Sequence, residues 1–443
     1  MSKGNSPSTA AGHGTAIGRR KFLKTAAATG GALAASNIPL VNVVRAQSKI
    51  IKIGYITSKT GPRGEFSEAA DWNVQQILNL VKGGLKIGNS NYEIQVLTRD
   101  NQSTATRAAQ VGNELVLREK VDLLLGDDSE SPVAVGELCD QVGTPFISTM
   151  TPWEPTIFAR GGSPDKGWPW NWTFCFGIAD LAPNYVGQWD LLKTNKIMGD
   201  TYFDNPGGVA FADDKVGIPG IARKHGYKVV SGGMHKGTTD DFSPQISLYK
   251  SNDVQILSGL IFAPQFATLW NQAAQTGFRP EIVNVAAAFL FPSGLEALGE
   301  RGNGMITEVW WTPNVPFKSS LTGKSAKDLA ADWQNATGKQ WTQPLGYLHA
   351  EFEVAFQALK QAGDPKDKKA IQHAMNTMVL DTMVGPVNFK DSKIKSVAAT
   401  EVAMGQWRLQ KGGKYKYDLL ITSNTTAPHI IPQTEAKLLS QLG

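Results

Sequence analysis

The chain has 443 residues, of which 41% are hydrophobic and 19% are charged, with a formal net charge of +5. This length allows two domains, and the composition is typical of a water-soluble globular protein rather than a disordered or fibrous one. Cys139 and Cys175 are too few for a disulfide scaffold and lack the spacing of a metal site. We expect two separate buried thiols, with a single disulfide as the alternative.

The first 46 residues have the features of an export signal. Arg19 and Arg20 precede a short Lys-Phe-Leu-Lys stretch and a weakly apolar run over residues 25–36, and residues 44–46 offer a cleavage site ending at Ala46. This order resembles a twin-arginine signal peptide, although Gly stands where Ser or Thr usually precedes the Arg pair. A membrane anchor is the alternative, but the run is short of the ~20 strongly apolar residues that a spanning helix needs. We therefore expect the mature protein in the periplasm.

The positive charge belongs to this leader. Residues 1–46 contain six Lys or Arg and no Asp or Glu. Removing these six from 44 basic side chains leaves 38 against 39 acidic ones, a net charge of −1. The charge argument for a nucleic-acid partner or an anionic membrane surface therefore disappears.

Short apolar runs alternate with helical patterns along the rest of the chain. Strands are predicted at residues 50–57, 92–100, 121–126, 145–149, 196–202, 227–231, 254–263, 281–285, 304–311, 404–409 and 417–422. Helices are predicted at about 67–81, 104–118, 132–141, 325–337, 347–361 and 366–378, and further helices separate the strands between 196 and 285. Continuous apolar strands between amphipathic helices predict parallel sheets covered on both faces. The pattern occurs twice, with residues 161–172 predicted as a loop that crosses between the halves.

Five motifs follow in order along these halves. They are Thr60–Phe66, Arg99–Ala108, Gly126–Ser131, Pro145–Thr149 and Gly237–Ile246. Together they resemble the type I periplasmic substrate-binding proteins of ABC transporters, in the branched-chain amino acid (leucine/isoleucine/valine) family. The resemblance extends from about residue 49 to about residue 389.

The resemblance implies an α/β fold with two lobes that close around a ligand, the Venus-flytrap architecture. Each lobe would be a parallel sheet covered by helices, and the chain would cross between lobes three times, near residues 174–177, 310–313 and 385–387. The first lobe would comprise residues 47–175 and 312–384, and the second lobe residues 176–311 and 385–443. The implied partners are a small-molecule ligand and the permease and ATPase of the transporter, with the binding protein itself monomeric.

The resemblance also implies where the ligand binds. Ligands of open parallel sheets bind at the carboxyl ends of the strands, where hydroxyl and N–H groups suit polar atoms and aromatic rings cover apolar ones. The positions that match the family's ligand-binding residues, together with neighbouring candidates, are Phe66, Ser129, Glu130, Ser131, Thr149, Thr151, Trp153, Phe211 and Phe262.

The acidic residues of this chain depart from the family pattern. The second-lobe stretch 285–289, where amino-acid binders place a carboxylate for the ligand ammonium, contains no acid, whereas Asp127, Asp128 and Glu130 follow a first-lobe strand. These two Asp side chains could instead cap the following helix. If they face the cleft, they favour an amino-acid derivative, an amide or an aromatic amine over leucine, isoleucine and valine themselves.

No catalytic set is found in the sequence, and no cofactor is expected. The five histidines beyond the leader lack metal-ligand spacing, and no Gly-x-Ser-x-Gly nucleophile motif is present. We therefore predict a binding protein rather than an enzyme. A ligand sensor that hands its closed form to a regulatory partner is one alternative, which neighbouring permease and ATPase genes would distinguish, and a secreted hydrolase is a disfavoured second.

The leader yields a testable prediction. Replacing both Arg19 and Arg20 by Lys should leave uncleaved precursor inside the cell, because the Arg pair defines the twin-arginine route. Immunoblots of cytoplasmic and periplasmic fractions measure this. Unchanged export of the double variant would assign the leader to the general secretory route.

Overall fold

The computed structural model describes residues 49–442, so the predicted leader lies outside the described residues. Two seven-stranded sheets form the framework. The first sheet begins with six strands in chain order: β1 (Lys49–Thr57), β2 (Leu85–Ile87), β3 (Ser90–Asp100), β4 (Leu123–Gly126), β5 (Phe146–Thr149) and β6 (Asn171–Phe174). The second sheet begins with five: β7 (Ile197–Phe203), β8 (Lys228–His235), β9 (Ile256–Leu260), β10 (Ile282–Ala286) and β11 (Ile306–Val309).

The remaining strands lie in the C-terminal part of the chain. They are β12 (Val379–Thr382), β13 (Gly385–Asn388), β14 (Val397–Ala398), β15 (Ala403–Leu409) and β16 (Tyr417–Ser423). Strands β12 and β13 form a separate antiparallel pair. Strand β14 joins the first sheet beside β6, and β15 and β16 extend the second sheet beside β11.

The central strands are parallel in both sheets. The order is β14-β6-β5-β4-β1-β3-β2 in the first sheet and β16-β15-β11-β10-β9-β7-β8 in the second. Within these two sheets, the antiparallel pairs of the described strands lie at the edges, between β2 and β3 and along β11-β15-β16. The residues of β4, β5, β9 and β10 are all buried, as expected of strands covered on both faces.

Helices cover the sheets. They are α1 (Ala70–Leu80), α2 (Ala105–Asn113), α3 (Ser131–Val142), α4 (Trp153–Phe158), α5 (Ile178–Asp190), α6 (Pro206–Phe211), α7 (Ile218–Lys224), α8 (Ser243–Ser251), α9 (Ala263–Thr276), α10 (Pro292–Ala297), α11 (Ala326–Thr337), α12 (Pro344–Ala362) and α13 (Lys368–Asn376). A π-helix (Glu114–Arg118) continues α2, and single 3₁₀ turns lie at Gly64–Ser67, Gly299–Gly302 and Leu439–Gln441. The predicted α/β architecture with two lobes is confirmed. We call the first sheet and its helices the first lobe, and the second sheet and its helices the second lobe.

The chain passes between the two sheets three times. It leaves the first sheet after Phe174 and the second sheet after Val309. The third passage lies later than predicted: Val397 pairs with Thr173 in the first sheet, and the chain enters the second sheet only at Ala403. The predicted crossing at 385–387 is therefore wrong, because those residues belong to the β12–β13 hairpin.

The segment predicted as a crossing loop is also different. Residues 161–170 lack regular structure, but β6 begins at Asn171 and is still part of the first sheet. The sequence before β6 is polar and rich in Pro, so the strand was not predicted. All four residues of β6 are buried, and Trp172 packs into the core.

The structure also shows the state of the two cysteines and the character of the described helices. Cys139 and Cys175 are both buried and unpaired. Among residues 49–442, no helix combines the length and the apolar character that crossing a membrane requires.

The second passage between the sheets, which follows Val309, is held by hydrogen bonds from the start of α12. The Gln343 side chain accepts the backbone N–H of Trp310 at 2.8 Å and donates to the carbonyl oxygen of Glu308 at 3.0 Å. Trp311 is fully buried and lies over Gly346, where an added Cβ would come within 2.3 Å of the indole ring. The segment that links the lobes therefore depends on a glycine in the most buried helix.

This contact yields a prediction for stability. Gly346→Ala should lower the free energy of unfolding by roughly 1–3 kcal/mol, because the new methyl group overlaps the buried Trp311 ring, which must then shift. Chemical denaturation measures the loss. Gly83→Ala is the matched control, since nothing lies within 4 Å of its added Cβ. Equal stability of the two variants would contradict the packing described here.

Candidate functional site

A cavity of about 380 Å³ lies where strand ends of the two sheets face each other. The first lobe lines it with residues that follow β1, β4 and β5, and the second lobe with residues that follow β7 and β9. Its lining comprises Ser58, Arg63, Phe66, Ala105, Asp127, Asp128, Ser129, Glu130, Val133, Met150, Thr151, Pro152, Pro155, Ala159, Ile178, Asn205, Gly207, Phe211, Leu260 and Phe262. This volume suits a small organic molecule.

Six of the nine predicted site residues line this cavity. They are Phe66, Ser129, Glu130, Thr151, Phe211 and Phe262. They come from loops that are far apart in the sequence, and they meet because parallel strands present their carboxyl ends at one edge of each sheet.

The other three predicted residues do not line the cavity. The Thr149 hydroxyl donates to the carbonyl oxygen of Phe174 at 2.7 Å, and the Ser131 hydroxyl donates to Asp128 at 2.6 Å. Trp153 is buried within the first lobe, where its ring packs against Phe158 at 6.0 Å. The structure corrects their assignment to the cleft, because each side chain already has a structural partner within the first lobe.

Aromatic rings form two walls of the cavity. The Phe66 ring lies edge-on to Phe291 of the second lobe at 4.8 Å and stacks near Trp310 at 6.1 Å. The Phe262 ring lies edge-on to Phe203 at 5.0 Å, directly before α9 begins. These contacts fix both rings at the cleft, where their remaining surface can cover an apolar part of a ligand.

Asp128 acts as a helix cap. Its Oδ1 accepts the backbone N–H groups of Glu130 and Ser131, both at 2.8 Å, and its Oδ2 accepts the Ser131 hydroxyl. Burial raises the pKa of Asp128 to about 6, although these hydrogen bonds favour the carboxylate. The capping alternative raised by the sequence therefore holds for Asp128.

Asp127 differs from its neighbour. Its Oδ2 accepts the hydroxyl groups of Tyr55 and of Thr57, the latter at 2.8 Å, whereas its Oδ1 is buried and has no hydrogen-bond partner. Burial, followed by the charge of Asp128, raises the pKa of Asp127 above its usual range. A second carboxyl, Glu351 of α12, lies beneath it and accepts the N–H of Gly126 at 2.9 Å.

Burial and the charge of Asp127 raise the pKa of Glu351 as well. Each of these buried carboxyl groups therefore disfavours ionisation of the other.

An ion pair at the cavity was missed at the sequence level. The Arg63 Nη1 and Glu130 Oε2 atoms are 2.8 Å apart, and Ser129 also donates to Glu130 at 3.1 Å. Arg63 belongs to the first of the five family-like motifs, so its position after β1 was the available signal. It is the one basic side chain among the described lining residues, and Glu130 neutralises it.

The second lobe does contain a buried carboxyl near residues 285–289, which the linear pattern did not reveal. Glu308 accepts the Tyr185 hydroxyl at 2.7 Å and lies 3.5 Å from the backbone nitrogen of Ala287. Burial raises its pKa. Glu308 does not line the cavity, so the acid that faces the cleft still comes from the first lobe.

Solved structures of similar shape are solute-binding proteins. A leucine-binding protein from Thermotoga maritima matches with a TM-score of 0.65 at 19% identity, over 83% of this chain and 97% of that one. The substrate-binding protein of a branched-chain amino acid transporter from Streptococcus pneumoniae, in complex with isoleucine, matches with a TM-score of 0.65 at 16% identity, over 84% and 100%. A solute-binding protein of an ABC transporter from R. palustris, in complex with 4-hydroxybenzoate, matches with a TM-score of 0.65 at 16% identity, over 88% and 98%.

These likenesses show the same fold. The sequence itself identifies the family, because residues 50–414 match the family described as periplasmic binding protein. The chain therefore belongs to the periplasmic binding protein family, whose members bind solutes and are not enzymes.

Proposed function

We propose that this protein is the extracytoplasmic solute-binding subunit of an ABC importer. After export by the leader and its removal near Ala46, it captures a small, partly apolar nitrogen compound between its lobes. It then delivers this compound as a monomer to an inner-membrane permease driven by an ATPase. The observation that most supports this is the cavity between strand ends of both lobes, in which aromatic, hydroxyl and carboxyl groups converge.

Within the described residues, we place the first lobe at about 49–175 and 312–398, and the second at about 176–311 and 403–442. The pairing of Val397 with Thr173 supports assigning residues up to 398 to the first lobe. The lobes touch beside the cavity, where the Ser293 hydroxyl donates to Glu65 at 2.5 Å and Phe66 meets Phe291. Contacts of this kind would form on closure and break on opening, so we propose hinge closure around the ligand.

The ligand class follows from the lining. Phe66, Phe211 and Phe262 offer apolar surface, and Ser129 and Thr151 offer hydroxyl groups. Asp127, Asp128 and Glu130 give the first-lobe side more acidic than basic residues, although Arg63 pairs with Glu130, and on this balance we favour a ligand with N–H donors over a simple organic anion. An amino-acid derivative, an amide or an aromatic amine fits this lining best, with leucine, isoleucine and valine second.

Binding with closure is directly testable. A native mass spectrum of protein purified without denaturation should reveal a retained small molecule. Small-angle scattering should show a smaller radius of gyration when that molecule is added back to stripped protein. Tight binding without compaction would contradict hinge closure, and turnover of the molecule would contradict a pure binding role.

Phe262 offers a test of the site itself. Phe262→Ala should weaken ligand binding by roughly 2–4 kcal/mol, because it removes an aromatic wall that the bound ligand buries. Titration calorimetry measures the affinity, and the melting temperature without ligand should fall less than for a core Phe, because the Phe262 ring is only partly buried. Phe278→Ala is the control: this buried ring packs on Tyr249 at 5.9 Å, away from the cavity, and its loss should lower stability rather than affinity. Equal affinities of the Phe262 variant and the wild type would remove Phe262 from the site.

A further inference from the structure

The Arg63–Glu130 ion pair leaves several of its polar atoms free at the cavity. Arg63 Nη1 contacts Glu130 Oε2 at 2.8 Å, and the Ser129 hydroxyl donates to the same carboxylate oxygen. Among the described residues, no group bonds to Arg63 Nε or Nη2 or to Glu130 Oε1, and none of these three atoms is fully buried. The pair therefore presents free N–H donors and a free acceptor next to each other in the cavity wall.

Two more polar atoms at the cavity are also free. Thr151 lines it from the first lobe and Asn205 from the second. The Asn205 Oδ1 accepts the backbone N–H of Gly208 at 2.7 Å, which leaves its Nδ2 as a donor. Within residues 49–442, neither this Nδ2 nor the Thr151 hydroxyl has a hydrogen-bond partner, and neither atom is fully buried. Each lobe therefore offers a donor to a ligand acceptor such as a carbonyl oxygen.

None of the described lining residues presents an unpaired, accessible charge to the cavity. Arg63 and Glu130 neutralise each other, and Asp128 accepts three hydrogen bonds where it caps α3. Asp127 also lines the cavity, but its unpartnered oxygen is buried beyond the reach of a ligand. A charged ligand that enters this cavity therefore loses hydration without gaining an unpaired opposite charge, whereas a neutral ligand avoids that cost.

We propose, building on the binding function above, that the Arg63–Glu130 pair anchors a neutral carboxamide, so that the cleft selects amides over acids, amines and amino acids of similar shape. The amide oxygen accepts a free N–H of Arg63, and the amide N–H donates to Glu130 Oε1. One carbon atom carries both groups of an amide, which suits a donor and an acceptor that their ion pair already holds together. Hydrogen bonds to charged partners are the stronger class of such bonds. The apolar part of the ligand then lies against Phe66, Phe211 and Phe262.

The same atoms suit charged ligands less well. A carboxylate meets a guanidinium that Glu130 already shares, and the Glu130 charge repels it. An ammonium can bond to that carboxylate, but it leaves the free donors of Arg63 and Asn205 without an acceptor. A zwitterionic amino acid must lose the hydration of two charges instead of one. The amide alone among these ligands satisfies donors and acceptor without bringing a charge.

The experiment compares compounds of similar shape that differ in charge. The aromatic set is phenylacetamide, phenylacetate, 2-phenylethylamine and phenylalanine, and the aliphatic set is 3-methylbutanamide, 3-methylbutanoate, 3-methylbutylamine and leucine. Thermal shift on stripped protein orders each set, and titration calorimetry gives the affinities. In at least one set we expect the amide to bind best, by roughly tenfold or more, which is the size of a hydrogen bond to a charged group.

Breaking the ion pair should change the preference in a direction set by the charge that remains. Glu130→Gln leaves the Arg63 charge unpaired, so the acid should gain and the amide should lose roughly tenfold in affinity. Arg63→Gln leaves the Glu130 charge unpaired, so the amine should gain instead. A pair that only supports the fold would not shift its two variants toward ligands of opposite charge.

Glu114→Gln is the matched control. Glu114 pairs with Arg99 at 2.8 Å in the same lobe and is also partly exposed, but neither residue lines the cavity. This variant should leave the order of the compounds and their affinities unchanged. If a cavity variant does not fold, the order of the compounds on the wild type still decides the ligand class.

Two results would overturn the proposal. If neither amide binds, or if in both sets a charged compound binds more tightly than the amide, the cleft does not select amides. If an amide binds best but keeps its affinity in both cavity variants, the ion pair is not its anchor. The binding function survives these results if any retained or added compound compacts the protein in scattering, and it fails independently if none does.

Discussion

Parallel strands impose the constraint on which this site depends. Their carboxyl ends all lie at one edge of a sheet, so the loops after β1, β4 and β5 must meet there, and so must those after β7 and β9. With the two sheets facing each other, residues as distant as Phe66 and Phe262 line one cavity. Helix α12 packs beneath the first sheet and, through Gln343, holds the backbone of the passage between sheets. The first sheet and the passage between the sheets thus share one support.

The buried carboxyl pair of Asp127 and Glu351 works against stability. Asp127 and Glu351 are both desolvated, and burying a charge without a partner is costly, so the proteins that retain such groups keep them neutral or pair them on binding. Tyr55 and Thr57 satisfy one Asp127 oxygen, and the other is buried without a hydrogen-bond partner. An arrangement that satisfied both oxygens would be more stable.

Much of this fold could be predicted from the sequence, because continuous apolar runs such as Leu123–Gly126 mark buried parallel strands. The third passage could not, because β14 has only two residues and its pairing with β6 depends on tertiary contact. Aromatic positions in the site were predictable from the family-like motifs. The contacts of Thr149 and Trp153 within the first lobe could not be predicted. Whether such a side chain contacts its own lobe or faces the cavity depends on tertiary packing, which the order of residues in the sequence does not show. Asp127 and Asp128 look equivalent in sequence, yet only one caps the helix.

Charge distinguishes this cleft more sharply than shape does. Related folds bind isoleucine in one case and 4-hydroxybenzoate in another, so a two-lobed cavity with aromatic walls does not by itself choose a ligand. Selection of a ligand here must come from the polar groups that lie among the aromatic rings, which include the Arg63–Glu130 ion pair and the hydroxyl groups of Ser129 and Thr151.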